Sequence, residues 1–117
     1  MTPLGEHLKQ LRVQKSVSQK EMAKAIGVSP AYLSALEHGK RGTPSYAVLQ
    51  RIVGYFNVIW DDAEKLQKLA ELSNPRVVID TSELSAKATL VANVLAQSIS
   101  GLSDDKLNEI LKLLPSK

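Results

Sequence analysis

Apolar side chains return along this chain at intervals of three and four, the spacing that lines one side of an α-helix, and Pro, Gly and small capping residues separate the runs. Thr2-Pro3 predicts a first helix start, because Thr caps free N–H groups and Pro at the first helical position has no donor to lose. Leu4, Leu8, Leu11 and Val13 then form a stripe to about Lys15. Ser18 with Glu21 three residues on is a capping box for a second helix, closed near Gly27 by the left-handed conformation glycine allows. Val28-Ser29-Pro30 opens a third helix that Gly39 ends. Thr43-Pro44 repeats the cap-plus-proline start for a fourth, through Tyr46, Val48, Leu49, Ile52, Val53 and Phe56. The chain turns around Asn57, and Asp61 or Asp62 caps a fifth helix carrying Leu66, Leu69, Ala70 and Leu72.

From Ser73 the pattern changes. Ser73-Asn74-Pro75 breaks the helix, and Arg76 to Asp80 is a short β-branched run that reads either as a strand or as a linker. Thr81 or Ser82 caps a sixth helix, apolar over more than one stripe through Leu84, Ala88, Val91, Ala92, Val94, Leu95 and Ile99. Ser103, with Asp104 and Asp105 in the first turn, starts a seventh that ends in Ile110, Leu111, Leu113 and Leu114 before Pro115. A two-helix hairpin cannot bury that much apolar surface alone, so these helices are expected to pack on the first domain or on a second copy of the chain. The fold class is therefore all-α, with five helices in residues 1–73 and a helical extension for dimerisation in residues 74–117, in which residues 76–80 form either a linker or one short strand.

The second and third helices are the informative pair. They turn Met22, Ile26, Val28, Leu33 and Leu36 to one inward surface, with Ala23 and Gly27 where two backbones must approach. Counting 100° per residue with Leu33, Leu36 and Ser29 inward, the outward arc of the third helix holds Ala31, Ser34, Ala35 and His38, flanked by Pro30 and Tyr32. Two helices joined by so tight a turn form a helix-turn-helix, and units of that kind that bind DNA lay the second helix in the major groove.

Charge adds to this picture. Residues 1–56 carry eight basic and three acidic side chains, a net +5, whereas residues 57–117 carry seven basic and nine acidic, a net −2. A basic half beside a mildly acidic one fits a DNA-facing module joined to a protein-facing one, although a solvated surface with ordinary fluctuation shows the same numbers. There is no cysteine, which removes disulfides and thiolate metal sites and agrees with a cytoplasmic setting in a bacterium or phage host. The N-terminal MTPLGEHLKQLR does not read as a signal peptide, and no apolar run reaches membrane-spanning length. His7 and His38 lie on separate elements without paired carboxylates, a glycine-rich phosphate loop or metal-ligand spacing, so no catalytic, metal or cofactor site is expected.

The segment SQKEMAKAIGVSPAYLSALEHGKRGTPSYAVLQRIVGYF, residues 18–56, with LKQLR before it, resembles the phage-repressor and Cro type of helix-turn-helix domain, the XRE family. The resemblance implies a transcriptional regulator of double-stranded DNA, acting as a homodimer on an inverted repeat. It implies base contacts from Pro30, Ala31, Tyr32, Ser34 and Ala35, and backbone contacts from Gln19, Lys40, Arg41 and Thr43. Ser18, Ser29 and His38 are further candidates for the DNA backbone, while Tyr32 reads equally as packing against the fourth helix and His38 as favouring the helix dipole. It also implies a structural salt bridge between Arg12 and Glu37. Glutamine and asparagine, which bind adenine in two places, are missing from the outward arc, so direct readout is expected to be thin and DNA shape to carry more.

Dimerisation is expected through Val77, Val78, Ile79, Leu84, Val91, Leu95, Ile99, Ile110 and Leu114, by helix packing or by strand pairing across a two-fold axis. The competing reading is an antitoxin or co-regulator whose C-terminal helices bind a protein partner. A non-specific architectural protein fits less well, because the basic excess is moderate.

Overall fold

Helix starts in this protein are written in side-chain oxygens. In a computed structural model, which describes residues 1–40, 43–58 and 60–115, the hydroxyl of Thr2 accepts the N–H of Gly5 at 3.0 Å and opens α1 (Pro3–Lys15). Ser18 accepts from Glu21 N–H at 3.1 Å while Glu21 takes the Ser18 N–H at 3.2 Å, the reciprocal box that opens α2 (Gln19–Ile26). Ser29 accepts from Tyr32 N–H at 3.0 Å, with Pro30 first in α3 (Pro30–Glu37). Each cap satisfies a donor that the first helical turn leaves unpaired. At the other ends, Ser16, Gly27 and Gly39 take left-handed backbone at φ 59°, 74° and 74°.

Two later starts differ from expectation. The fourth helix, α4 (Tyr46–Tyr55), is capped by Ser45 and not by Thr43. Pro44 is buried outside the helix, and the Thr43 hydroxyl donates instead to the carbonyl of Ala70 at 2.8 Å. The fifth, α5 (Trp60–Glu71), begins before Asp61 and Asp62, which lie in its first turn where their charge favours the helix dipole.

These five helices belong to one compact unit, residues 1–77, whose core is Leu4 and Leu8 of α1, Met22, Ala23 and Ile26 of α2, Leu33 and Leu36 of α3, Leu49 and Ile52 of α4, and Leu66 and Ala70 of α5. Full burial of side chains this size is worth roughly 1.5–3 kcal/mol each, so a small aliphatic set suffices to hold the bundle. Val17, Val28, Tyr32, Val48, Val53, Tyr55, Phe56 and Leu69 pack around it, with Tyr55 and Phe56 meeting edge to face at 5.0 Å. The stripe on α1 is shorter than predicted: Leu11 is half-buried and Val13 is 60% exposed. Leu72 follows the end of α5 and is 75% exposed.

The residues read as a helix breaker have a second use. Ser73 is fully buried, and its hydroxyl accepts the N–H of Leu4 at 2.9 Å while donating to the Leu69 carbonyl. The end of α5 thereby caps the beginning of α1. The close backbone approach is at Gly5 rather than Gly27. A Cβ on Gly5 would stand 2.6 Å from the carbonyl oxygens of both Leu36 and Glu37, whereas one on Gly27 would meet only the end of the Arg51 side chain. Gly27 is needed for its positive φ, and Gly5 for space.

A second unit spans residues 78–117. Its first helix, α6 (Ala86–Ser98), is capped by Ser85, four residues beyond Thr81. Thr81 and Ser82 lie in the preceding turn: the Thr81 carbonyl accepts from Leu84 N–H, its hydroxyl accepts from Thr89, and Ser82 donates to Asp80. A short 3-10 turn at Ile99–Gly101 follows, so Ile99 is not on α6, and Ser103 caps α7 (Asp104–Leu113) as predicted. No strand forms among the described residues; Val77, Val78 and Ile79 are irregular and exposed. No helix of the described residues is long and apolar enough to cross a membrane.

Replacing Gly5 by Ala is expected to push α1 off the C-terminal end of α3. Overpacking against two backbone carbonyls should cost about 1–3 kcal/mol, read as a lowered urea midpoint without a change in slope.

Candidate nucleic-acid interface

The third helix carries the candidate surface, and its inner side explains why it can. Leu33 and Leu36 are buried in the core, and Glu37, one residue on, is 2% exposed. A carboxylate out of water needs partners, and three N–H groups supply them. Arg12 reaches Glu37 with two parallel bonds, Nε to Oε2 at 3.0 Å and Nη2 to Oε1 at 3.2 Å, so the expected salt bridge between first and third helices is formed. Gln19 adds a third from its amide nitrogen to Oε1 at 3.0 Å. The remaining Arg12 nitrogen donates to the Val17 carbonyl at 3.2 Å, inside the turn that joins α1 to α2. One buried charge therefore ties α1, the start of α2 and the end of α3 together.

The opposite side of α3 faces outward. Ala31 and His38 are exposed, and Ser34 and Ala35 are half-buried; with the exposed Lys40 these residues line one shallow, open depression. Pro30 is exposed beside it. Tyr32 is half-buried and packs against the aliphatic core. Counting 100° per residue turns Ser29 inward, yet it is exposed, because it lies just outside the helix that it caps. His38 closes the helix: its ring Nδ1 lies 2.7 Å from the Ser34 carbonyl and 3.4 Å from the Ser34 hydroxyl.

Several polar side chains assigned to the DNA backbone carry internal bonds. The hydroxyls of Ser18 and Ser29 are helix caps, the Gln19 amide is on Glu37, and the Thr43 hydroxyl is on Ala70. Lys40 is exposed on the outward face, and Arg41 lies outside the described residues. Two further basic side chains, both exposed, also bond within the protein. Arg51 donates to the carbonyl of Ile26 at 3.3 Å, and Lys15 donates to that of Tyr55 at 3.3 Å while standing 4.8 Å over the Tyr55 ring. Sequence spacing gave no signal for these contacts, since each joins residues 25 or 40 positions apart.

Residues 8–59 match the helix-turn-helix family model HTH_3. Over that stretch the N-terminal unit is similar to helix-turn-helix domains, in agreement with the resemblance read from residues 18–56. Similar proteins include the uncharacterised HTH-type transcriptional regulator RghRB of Bacillus subtilis, 32% identical over 62 residues that make up 53% of this chain and 45% of that protein. The ImmF control region 10 kDa protein of Bacillus phage phi105 is 46% identical over 55 residues, 47% of this chain and 60% of that one. The chain thus spans about half the length of these curated relatives. A solved chain from a SINR protein/SINI protein complex aligns over 94% of this chain and 92% of its own, at 24% identity and a TM-score of 0.48. In the N-terminal unit α2 and α3 are the motif's two helices, and α1, α4 and α5 complete the core around them.

Glu37→Gln keeps the side chain's shape and strands the Arg12 guanidinium. The expected loss is about 3 kcal/mol, at the low end for a broken buried pair because Arg12 keeps some contact with water. Pairing Glu37→Leu with Arg12→Met should recover most of that loss in urea denaturation, which separates the stranded charge from the lost bonds.

Proposed function

We propose that this protein is a sequence-specific DNA-binding transcriptional regulator that acts as a homodimer, and not an enzyme. The observation that carries the reading is α3: a short helix held from behind by Leu33, Leu36 and the Arg12–Glu37–Gln19 network, with its small-residue side open to solvent. A helix about 10–12 Å across fits the major groove of B-DNA only when nothing bulky covers its outer side. The names of the similar proteins, a transcriptional regulator and a phage control-region protein, support the same reading. Ala31 and Ala35 offer methyl groups to thymine, Ser34 a hydroxyl, and Pro30 and Tyr32 flank them. The backbone N–H groups at the start of α2, with Lys40 and Arg41 beyond α3, hold phosphates. Ser18, Gln19, Ser29 and Thr43 serve the DNA backbone through the helix ends and loop they fix, since their side-chain polar groups are bonded within the protein. Such a regulator works beside the DNA, in the cytoplasm of a bacterial cell.

The dimer contact in this proposal is the C-terminal unit. None of its described residues is fully buried, and Leu90, Val91, Val94, Leu95, Ile110 and Leu114 line one almost wholly apolar groove between α6 and α7. Ile99 and Leu84 add exposed apolar surface nearby in sequence, as do Val78 and Ile79 at the start of the unit and Val77 just before it. Units of about 40 residues rarely hold together without a second surface, and a second copy of this hairpin supplies one of matching chemistry. The same groove favours the alternative in which α6 and α7 bind a different protein, as in an antitoxin or co-regulator.

Selection of bound sites from random duplexes tests the main reading. The expected product is an inverted repeat with half-site centres about 34–36 Å apart, or a multiple of that. Lys40→Ala should weaken binding to all sequences alike and reduce the slope of log affinity against log salt by about one unit. Val94→Glu should turn a dimer into a monomer in sedimentation and weaken operator binding. A dimer undiminished by Val94→Glu, or co-elution with a second protein in place of self-association, would reject the homodimer contact.

A further inference from the structure

The histidine that closes α3 has one ring nitrogen engaged by its own helix, and that decides what the neutral ring can recognise. The Ser34 carbonyl accepts two donors from the same residue, the His38 backbone N–H at 3.0 Å and the ring Nδ1 at 2.7 Å. A carbonyl has no hydrogen to give, so Nδ1 must carry one. In the neutral imidazole the other nitrogen, Nε2, is then a bare acceptor. The ring belongs to the exposed depression that also takes in Ala31, Ser34, Ala35 and Lys40.

From this we infer that His38 reads a base rather than holding the backbone, its Nε2 accepting a hydrogen bond from an exocyclic amino group in the major groove. The inference rests on the proposed entry of α3 into that groove. Phosphate oxygens only accept, so a bare Nε2 has nothing to offer them. In the major groove the donors are the N6 amino group of adenine and the N4 amino group of cytosine; guanine and thymine present acceptors and a methyl group. Among Pro30, Ala31, Ser34, Ala35 and His38, only His38 combines an exposed side chain with an acceptor that carries no hydrogen. It supplies the polar discrimination that an arc without glutamine or asparagine otherwise lacks. Lys40, exposed at the same depression, is the complementary donor for a phosphate or for a guanine edge.

The test uses the full chain and its selected operator. In one series each adenine is replaced by unsubstituted purine, which lacks the N6 amino group; in the other each cytosine is replaced by 2-pyrimidinone, which lacks N4. The expected result is one position per half-site at which the native protein loses roughly 3- to 10-fold in affinity, the worth of one hydrogen bond. The series in which it appears names the base. His38→Ala should bind the native and amino-free duplexes equally at that position. Nitrogen-15 NMR of the free protein should find His38 protonated at Nδ1 and bare at Nε2. Native protein that tolerates every amino-free position, or a ring that carries a proton on Nε2, overturns the inference while leaving DNA binding intact. Failure of the native protein to bind any selected duplex overturns the regulator reading itself.

Discussion

A single desolvated carboxylate sets the geometry on which the rest of the N-terminal unit depends. Glu37 sits at the end of α3 with almost no access to water, and it tolerates that position because Arg12 and Gln19 bring three N–H groups to its two oxygens. Hydrogen bonds to a buried charge are directional and costly to lose, so they fix orientation more tightly than apolar packing does. Leu33 and Leu36 decide which side of α3 faces in, and Glu37 decides where its end lies relative to α1 and α2. The contact of Gly5 with the last carbonyls of the helix closes the same junction from the other side.

Polar residues in a small helical domain have two employers, the protein's own backbone and the ligand. Here the helix ends claim many of them. Thr2, Ser18, Ser29, Ser45 and Ser73 each give a hydroxyl to an N–H that the first turn of a helix leaves unpaired. Arg12, Lys15 and Arg51 donate to a carboxylate or to backbone carbonyls, so part of their donor capacity is used within the protein although Lys15 and Arg51 stay exposed. What is left on the outward side of α3 is small: two alanines, a serine, a histidine held by its own helix, and a lysine next to it.

The two units are built on opposite terms. The described part of residues 1–77 encloses eleven apolar side chains from all five helices, whereas the described part of residues 78–117 encloses none. Its helices are well capped, by Ser85 and Ser103, and so are locally determined, yet their apolar sides meet solvent. Helix formation and helix burial are separate requirements, and the C-terminal unit meets the first within one chain and not the second.

Much of this was legible in residue order. Helix existence, the motif between Gln19 and His38, and most caps follow from local chemistry: a hydroxyl reaches an N–H three residues on, and a stripe repeats every three or four positions, whatever the rest of the chain does. The misreadings share one cause. Thr43 and Thr81 resemble caps, but the helices start at Tyr46 and Ala86, and both threonines bond elsewhere. Gln19 resembles a free phosphate ligand, and Val77 to Ile79 resemble a strand, yet the first lies on Glu37 and the second has no partner strand among the described residues. Residue order by itself determined which segments are helical and which side of each is apolar, because those depend on neighbours a few positions away. Only the tertiary structure decided which polar groups are already taken, because a hydrogen bond between Gln19 and Glu37, or between Leu4 and Ser73, joins positions that sequence spacing does not relate.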